Sequence, residues 1–278
     1  MWHFARLCFK SGKPILTGNL FSRHYLIYGC TTKGKSKDME ILHIVMPAYN
    51  EEANIEKVID SWYPNLGDNK NSRLVIADSG STDRTHQILC ELKEKYSRLV
   101  ILTDTKKQHG PKVIALYNYA IKNGAEYIFQ TDSDGQTNPD EFADFWEKRK
   151  KHDAIIGMRL TRGDGKARWL VERVLCMLLK FIFNVKVPDA NAPFRLMKTE
   201  LVEKYLYRLP ADYNLPNVML TTYFVAFMEN VEFLSISFKP RQGGVNSINL
   251  LKIVKIGWSA IKDFYRLKKK MKRDIGLS

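Results

Sequence analysis

The sequence predicts an α/β fold with a mainly parallel sheet. From Ile41 onward, short apolar runs rich in β-formers alternate with longer helical patterns, the signature of β-α-β units. The loops that follow the strand runs hold clustered acids and turn residues, which is where ligands bind in such sheets. With 278 residues, 45% of them apolar, the chain is long enough to bury a sizeable core.

Residues 41–46 (ILHIVM) read as the first buried strand, being an unbroken apolar run, and 51–63 as the helix behind it. RLVIAD (73–78) is the second strand, followed by a helix from about Asp83 to Tyr96. LVILTD (99–104) is the third, and 111–124 a helix that stops at Gly124. EYIFQTD (126–132) is the fourth strand, with a helix starting near Pro139, and DAIIGMR (153–159) closes this alternating part. Beyond it the pattern predicts amphipathic helices at 167–184 and about 215–229, a strand at 231–239 and a basic helix from about Asn249 to Met271.

The net charge of +14 is concentrated at the ends. Residues 1–40 carry +5 and 250–278 carry +7, leaving +2 for 41–249. A groove for a polyanion needs its cations on the folded body, so nucleic acid is excluded as a partner and an anionic membrane surface is expected instead. Cys8, Cys30, Cys90 and Cys176 lie far apart with no C-x-x-C pair, which points to a reducing compartment and against zinc or a disulfide framework. No run of about 18 apolar residues occurs; the nearest, Trp169 to Val187, is broken by Glu172, Arg173, Lys180 and Lys186. Arg6, Lys10 and Lys13 interrupt any secretory core. The organisation read from this is an N-terminal basic segment (1–38), an arm outside the fold or an over-extended start, then a catalytic domain (39–248) and a basic amphipathic C-terminal helix and tail (249–278). The expected location is cytoplasmic, peripherally on the cytoplasmic face of a membrane.

No strand is followed by G-x-G-x-x-G or G-x-x-x-x-G-K-[ST], which removes dinucleotide and Walker-type phosphate sites. Instead, Asp132-Ser133-Asp134 places two carboxylates one residue apart just past a buried strand. In an extended D-x-D the two acids share a side while Ser133 faces away, and Gln136 continues the phase as a neutral oxygen donor. Such a set suits Mg²⁺ or Mn²⁺ bridging a diphosphate, although a turn and a helix cap would use the same residues.

Taken in order, Pro47-Ala48-Tyr49-Asn50-Glu51, Asp78 to Asp83, Asp132 to Gln136, Gly157-Met158-Arg159, Pro193 to Leu196 and Phe238 to Gly244 resemble the family 2 glycosyltransferases, and within them the dolichol- or polyprenol-phosphate hexose synthases. The resemblance covers residues 41 to about 266 and implies the GT-A fold. It also implies an inverting transfer of a hexose from a nucleotide-diphosphate sugar to a polyprenyl phosphate. By position it places Pro47, Tyr49, Glu51 and Asp78 on the nucleoside, Asp132 on the donor, and Asp134 with Gln136 on the metal. Arg159 would reach phosphate near the reacting centre, Arg168 the acceptor phosphate, and Arg241 would close over the diphosphate.

Three departures stand out. The family's Asp-Asp pair after the second strand is Asp78-Ser79 here; Glu172 sits one turn after Arg168, where it repels an acceptor phosphate unless Arg168 or Arg173 neutralises it; and the tail lacks a multi-span membrane module. A phosphate acceptor is already ionised and needs no base, so catalysis reduces to placement and leaving-group stabilisation. A saccharide hydroxyl would need one, with Asp164 or Asp189 as candidates. Two apolar faces suit an interfacial position: Leu170, Val174, Met177, Leu178, Phe181 and Ile182 on one helix, and Ile253, Ile256, Trp258, Ile261, Phe264 and Tyr265 on the last. Two other classes would use similar parts: a nucleotide-sugar-binding membrane protein without turnover, against which the intact Asp134 and Gln136 speak, and a metal-dependent nucleotidyltransferase, whose first glycine-rich loop and activating lysine do not follow residues 41–46.

Overall fold

A computed structural model describes residues 40–159, 166–240 and 261–271, with the side chains of 166–168 excepted. Strand β1 (Leu42–Ala48) leads into helix α1 (Ile55–Trp62) and a 3-10 turn, β2 (Arg73–Asp78) into α2 (Thr85–Lys95), and β3 (Leu99–Leu102) into α3 (His109–Lys122). β4 (Tyr127–Gln130) is followed by a 3-10 turn and α4 (Phe142–Lys148), β5 (Ala154–Arg159) by α5 (Lys166–Phe183), and β6 (Arg195–Lys198) by α6 (Thr199–Leu206), α7 (Pro216–Ala226) and β7 (Val231–Ile236).

The strands form one sheet of order β3-β2-β1-β4-β6-β5-β7. β1 pairs in parallel with β2 and β4, β2 with β3, and β5 with β7; β6 runs against both of its neighbours, β4 and β5. Alternating residues send side chains to opposite faces. Ile44, Met46, Leu74, Ile76 and Phe129 meet α1, α2 and α4, whereas Val45, Val75, Ile128 and Met197 meet α3, α6 and α7. The first layer centres on Trp62, whose ring centroid lies 5.3 Å from Phe129 and 5.8 Å from Phe194. Both faces of the sheet are therefore covered, which is why its strands read as continuous apolar runs.

The expected elements are found among the described residues, with β2 as expected, β1 extended to Ala48, the other strands shorter, and two additions. β6 and α6 went unpredicted because RLMK (195–198) is a four-residue strand with a charge at each end, too short and too polar to register as a strand run. The two expected interfacial faces also differ from expectation. On α5, Trp169, Leu170, Val174, Met177 and Phe181 are exposed, but Ile182 is buried and Leu178 half-buried. In helical segment 261–271, Phe264, Leu267 and Met271 are buried in the main core, with Phe264 6.0 Å from the Phe183 ring. Those three residues pack on the body, whereas Tyr265 is exposed along with the cationic Lys262, Arg266 and Lys269. The earlier part of the expected last helix, including Ile253, Ile256 and Trp258, lies outside the described residues. Among the described residues no helix is long and apolar enough to cross a membrane.

Candidate active site

β1 is flanked by β2 on one side and β4 on the other, so the crossover helices leave in opposite directions and a crevice opens at the strands' carboxyl ends. All three informative loops emerge there. Asn50 adopts a left-handed conformation (φ 56); its Oδ1 accepts from the Thr82 amide at 2.8 Å, and its own amide donates to Ser81 Oγ at 3.1 Å. The Glu51 amide donates to Thr85 Oγ1 at 2.8 Å. The loops after β1 and β2 are thus laced together.

Glu51 is buried, with Asn54 Nδ2 donating to its Oε2 at 3.0 Å. Asp78 is also buried; one oxygen accepts from Ser81 Oγ and the other lies 3.1 Å from His86 Nδ1. Beside them is a residue absent from the predicted set. Lys112 on α3 is 1% exposed and donates from Nζ to the Ala48 carbonyl at 2.6 Å. Burial pushes its ammonium down to about 8, with Asp78 opposing and Lys107 adding to the shift. Lys107 and Lys112 lie 4.8 and 5.3 Å from the centre of the Tyr49 ring, so Tyr49 carries two cations near its π-face. A lysine on the helix face that also carries Val113, Leu116 and Tyr117 was the available signal.

After β4, Ser133 turns back and donates to the Pro47 carbonyl at 2.9 Å. Asp132 and Asp134, which flank it, are half-buried. Gly135 then takes φ 73, a left-handed turn that suits glycine, and the Gln136 amide donates to Asp134 Oδ1 at 3.1 Å. Gln136 is buried, and its Nε2 donates to the Lys239 carbonyl at 2.8 Å. Among the described residues no group of three or more His, Cys, Asp or Glu is placed to hold a metal. Two half-buried carboxylates on one short loop are nevertheless the ligand type that suits Mg²⁺ or Mn²⁺, which complete their shell with substrate phosphates and water.

Arg159, at the end of β5, is not solvated. Its Nε and Nη2 donate to the two oxygens of buried Asp189 at 2.7 and 2.8 Å, and Nη2 lies 3.8 Å from Glu172 Oε2. Burial works against the charge, but the Asp189 hydrogen bonds and the attraction of Asp189 and Glu172 prevail, and the pKa is raised. Among the described side chains, Glu172 is answered by Arg159 and by the amides of Ala190 and Asn191, at 2.9 and 3.4 Å from its Oε1. Arg168 lies within α5 with its side chain outside the described set; Arg241 and Asp164 fall outside the described residues altogether.

A mainly parallel sheet with carboxylates at its carboxyl edge and cations beside an aromatic is the arrangement the resemblance to GT-A glycosyltransferases led one to expect. Residues 43–206 match the model of glycosyl transferase family 2, and the chain belongs to that family. It is 35% identical over 104 residues to succinoglycan biosynthesis protein ExoA of Rhizobium meliloti, covering 36% of this chain and 30% of that protein. It is 22% identical over 226 residues to undecaprenyl-phosphate 4-deoxy-4-formamido-L-arabinose transferase of Pectobacterium carotovorum, covering 79% and 66%. The chain thus spans less than two thirds of these relatives' own length. Among solved structures, glucosyl-3-phosphoglycerate synthase from Mycobacterium tuberculosis in complex with Mn²⁺, UDP and phosphoglyceric acid superposes with TM-score 0.60 at 18% identity, covering 81% and 78%. That likeness establishes the shared fold.

Proposed function

We propose that the chain moves a hexose from a nucleotide-diphosphate sugar to a polyprenyl phosphate at an anionic membrane surface, with inversion and with Mg²⁺ or Mn²⁺ on the donor diphosphate. The observation that carries this reading is the convergence of Pro47 to Glu51, Asp78 and Asp132 to Gln136 at one crevice. Pro47, Tyr49, Glu51 and Asp78 face the nucleoside; Asp132 contacts the donor; Asp134 and Gln136 hold the metal, which supplies charge for the leaving diphosphate. Arg168 meets the acceptor phosphate, and Arg241 closes over the donor. Lys107 and Lys112 join this set beside Tyr49. Arg159 acts from within its pair with Asp189, leaving Nη1 for phosphate.

A relative named as an undecaprenyl-phosphate sugar transferase supports the lipid acceptor, and so does the exposed apolar stripe of α5. The saccharide-acceptor alternative draws on the likeness to ExoA and requires a general base. Asp189 has both oxygens engaged by Arg159, and taking up a proton there would break that pair. The test is incubation with labelled nucleotide sugars, Mn²⁺ and lipid extract. Labelled lipid plus free nucleoside diphosphate is expected, and Asp134→Ala should abolish turnover with an unchanged melting curve. Label on water-soluble saccharide alone, or an active Asp134→Ala protein, would overturn the reading.

A further inference from the structure

Helix α2 carries a thiol that the crevice does not use. Cys90 is exposed, and His86 stands one turn before it on the same helix face, with Nε2 3.7 Å from the Cys90 Sγ. The other ring nitrogen, Nδ1, lies 3.1 Å from Asp78 Oδ2. An ionised carboxylate only accepts, so Nδ1 carries the proton in that bond and the Nε2 lone pair is left for the thiol. Asp78 is held in turn: its side chain is 2% exposed, and Ser81 Oγ donates to its other oxygen. A nucleophile, a base and a third group that orients the base therefore follow one another from the helix surface to the end of β2.

The other described cysteine has the opposite surroundings. Cys176 is half-buried with its Sγ 3.6 Å from Glu172 Oε1, and burial, reinforced by that carboxylate, pushes its thiol up to about 12. The acids around Cys90 are answered elsewhere. On α2, Glu91 accepts from Gln87 at 2.9 Å; on α1, which packs against α2, Asp60 is taken up by Lys95 and Tyr96. Glu56 and Glu94 are exposed, each next to a lysine in the chain, Lys57 and Lys93, and β3 brings no charged side chain.

We propose that Cys90 is a thiol-modification site that exchanges with low-molecular-weight disulfides of the glutathione class, with His86 as its base. The Cys90 proton passes to His86 Nε2 and the sulfur attacks the disulfide. The S–S bond of the disulfide breaks as a new one forms to Cys90, and the departing thiolate takes the proton back from His86. Asp78 balances the charge on the ring in between. Neither the donor nor the acceptor enters this step, so it stands apart from the function proposed above.

Wild type and His86→Gln would be treated with glutathione disulfide at about pH 7 and about pH 9.5, quenched with acid, and the adduct followed peptide by peptide by mass spectrometry, which keeps Cys8, Cys30 and Cys176 apart from Cys90. A free thiol is only a few per cent ionised at about pH 7, and the lower nucleophilicity of a more readily ionised sulfur offsets part of the gain. Cys90 should therefore react about three- to tenfold faster in the wild type than in His86→Gln at about pH 7. At about pH 9.5, where an exposed thiol ionises without help, the two proteins should react alike. Equal or inverted rates at the lower pH would overturn the proposal. So would a deficit of the same size at both pH values, which makes His86 a structural neighbour only, or modification of Cys176 ahead of Cys90.

Discussion

Replacing Asp189 by Asn removes one partner of a buried ion pair and leaves the other in place. Arg159 and Asp189 side chains are 8% and 3% exposed, and two charge-assisted hydrogen bonds of 2.7 and 2.8 Å join them. Stranding one charge of such a pair costs about 3–5 kcal/mol. Glu172 moderates the loss, because its carboxylate 3.8 Å from Nη2 still attracts the guanidinium, by about 4 kcal/mol at an effective dielectric constant of about 20 before desolvation. The loss therefore falls near the lower end, about 3 kcal/mol. At roughly 2–4 °C per kcal/mol for a domain of this size, Asp189→Asn should melt about 6–12 °C below wild type by circular dichroism. Removing both charges, Arg159→Met with Asp189→Leu, should recover most of the difference, since a buried pair is often replaced by apolar groups at little cost. An Asp189→Asn protein that melts with the wild type but has no turnover would refute the reasoning and make Asp189 a general base.

Burial pushes the His43 imidazole down to about 4 from 6.5. The unfolded chain therefore takes up this proton first as pH falls, and stability present above about pH 6.5 is lost towards pH 4 by up to about 3 kcal/mol; urea melts at pH 7.5 and 4.5 should show a smaller pH dependence for His43→Leu than for wild type. A Cβ at Gly110 would sit 2.3 Å from the Tyr213 carbonyl oxygen and 2.5 Å from Asn214 Cα, so Gly110→Ala should destabilise by about 1–3 kcal/mol in denaturant titration. Because Phe264 is fully buried, Phe264→Ala should cost about 3–5 kcal/mol in a thermal melt. Lys262 and Lys269, on the exposed side of the same segment, should leave the melt unchanged when replaced by Gln while weakening anionic-vesicle binding by about 1 kcal/mol each.

The meeting of the three loops after β1, β2 and β4 was legible because each follows a buried parallel strand, whose apolar run marks its own end: Ala48, Asp78 and Gln130 close β1, β2 and β4. What stayed hidden depends on long-range packing. Lys112 reaches a carbonyl 64 positions away in the chain, and Glu172 is answered by Arg159 and by a turn 18 residues on; no periodicity encodes either. The amphipathic pattern of the last helix shows that an apolar face exists, not whether protein or lipid covers it, and the burial of Phe264, Leu267 and Met271 answers for 261–271.

The antiparallel strand β6 brings a second buried arginine close to the Arg159–Asp189 pair. Inserted between β4 and β5, it puts Arg195 in register with Gln130 on one side and Ile156 on the other. The guanidinium is fully buried and donates to the carbonyls of Ala192 and Asn217 and to Thr221 Oγ1. Burial lowers its pKa, while Tyr117, Asp189 and Asp132 favour the charge. The arginine of β6 lies within the electrostatic reach of both Asp132 and Asp189. The near-neutral body is thus a sum of concentrated local charges. Arg159 is matched to Asp189 and Glu172 and Arg195 to carbonyls and a hydroxyl, so under the proposed function an incoming diphosphate would draw on a metal and on the cations around Tyr49 rather than on the protein's net charge.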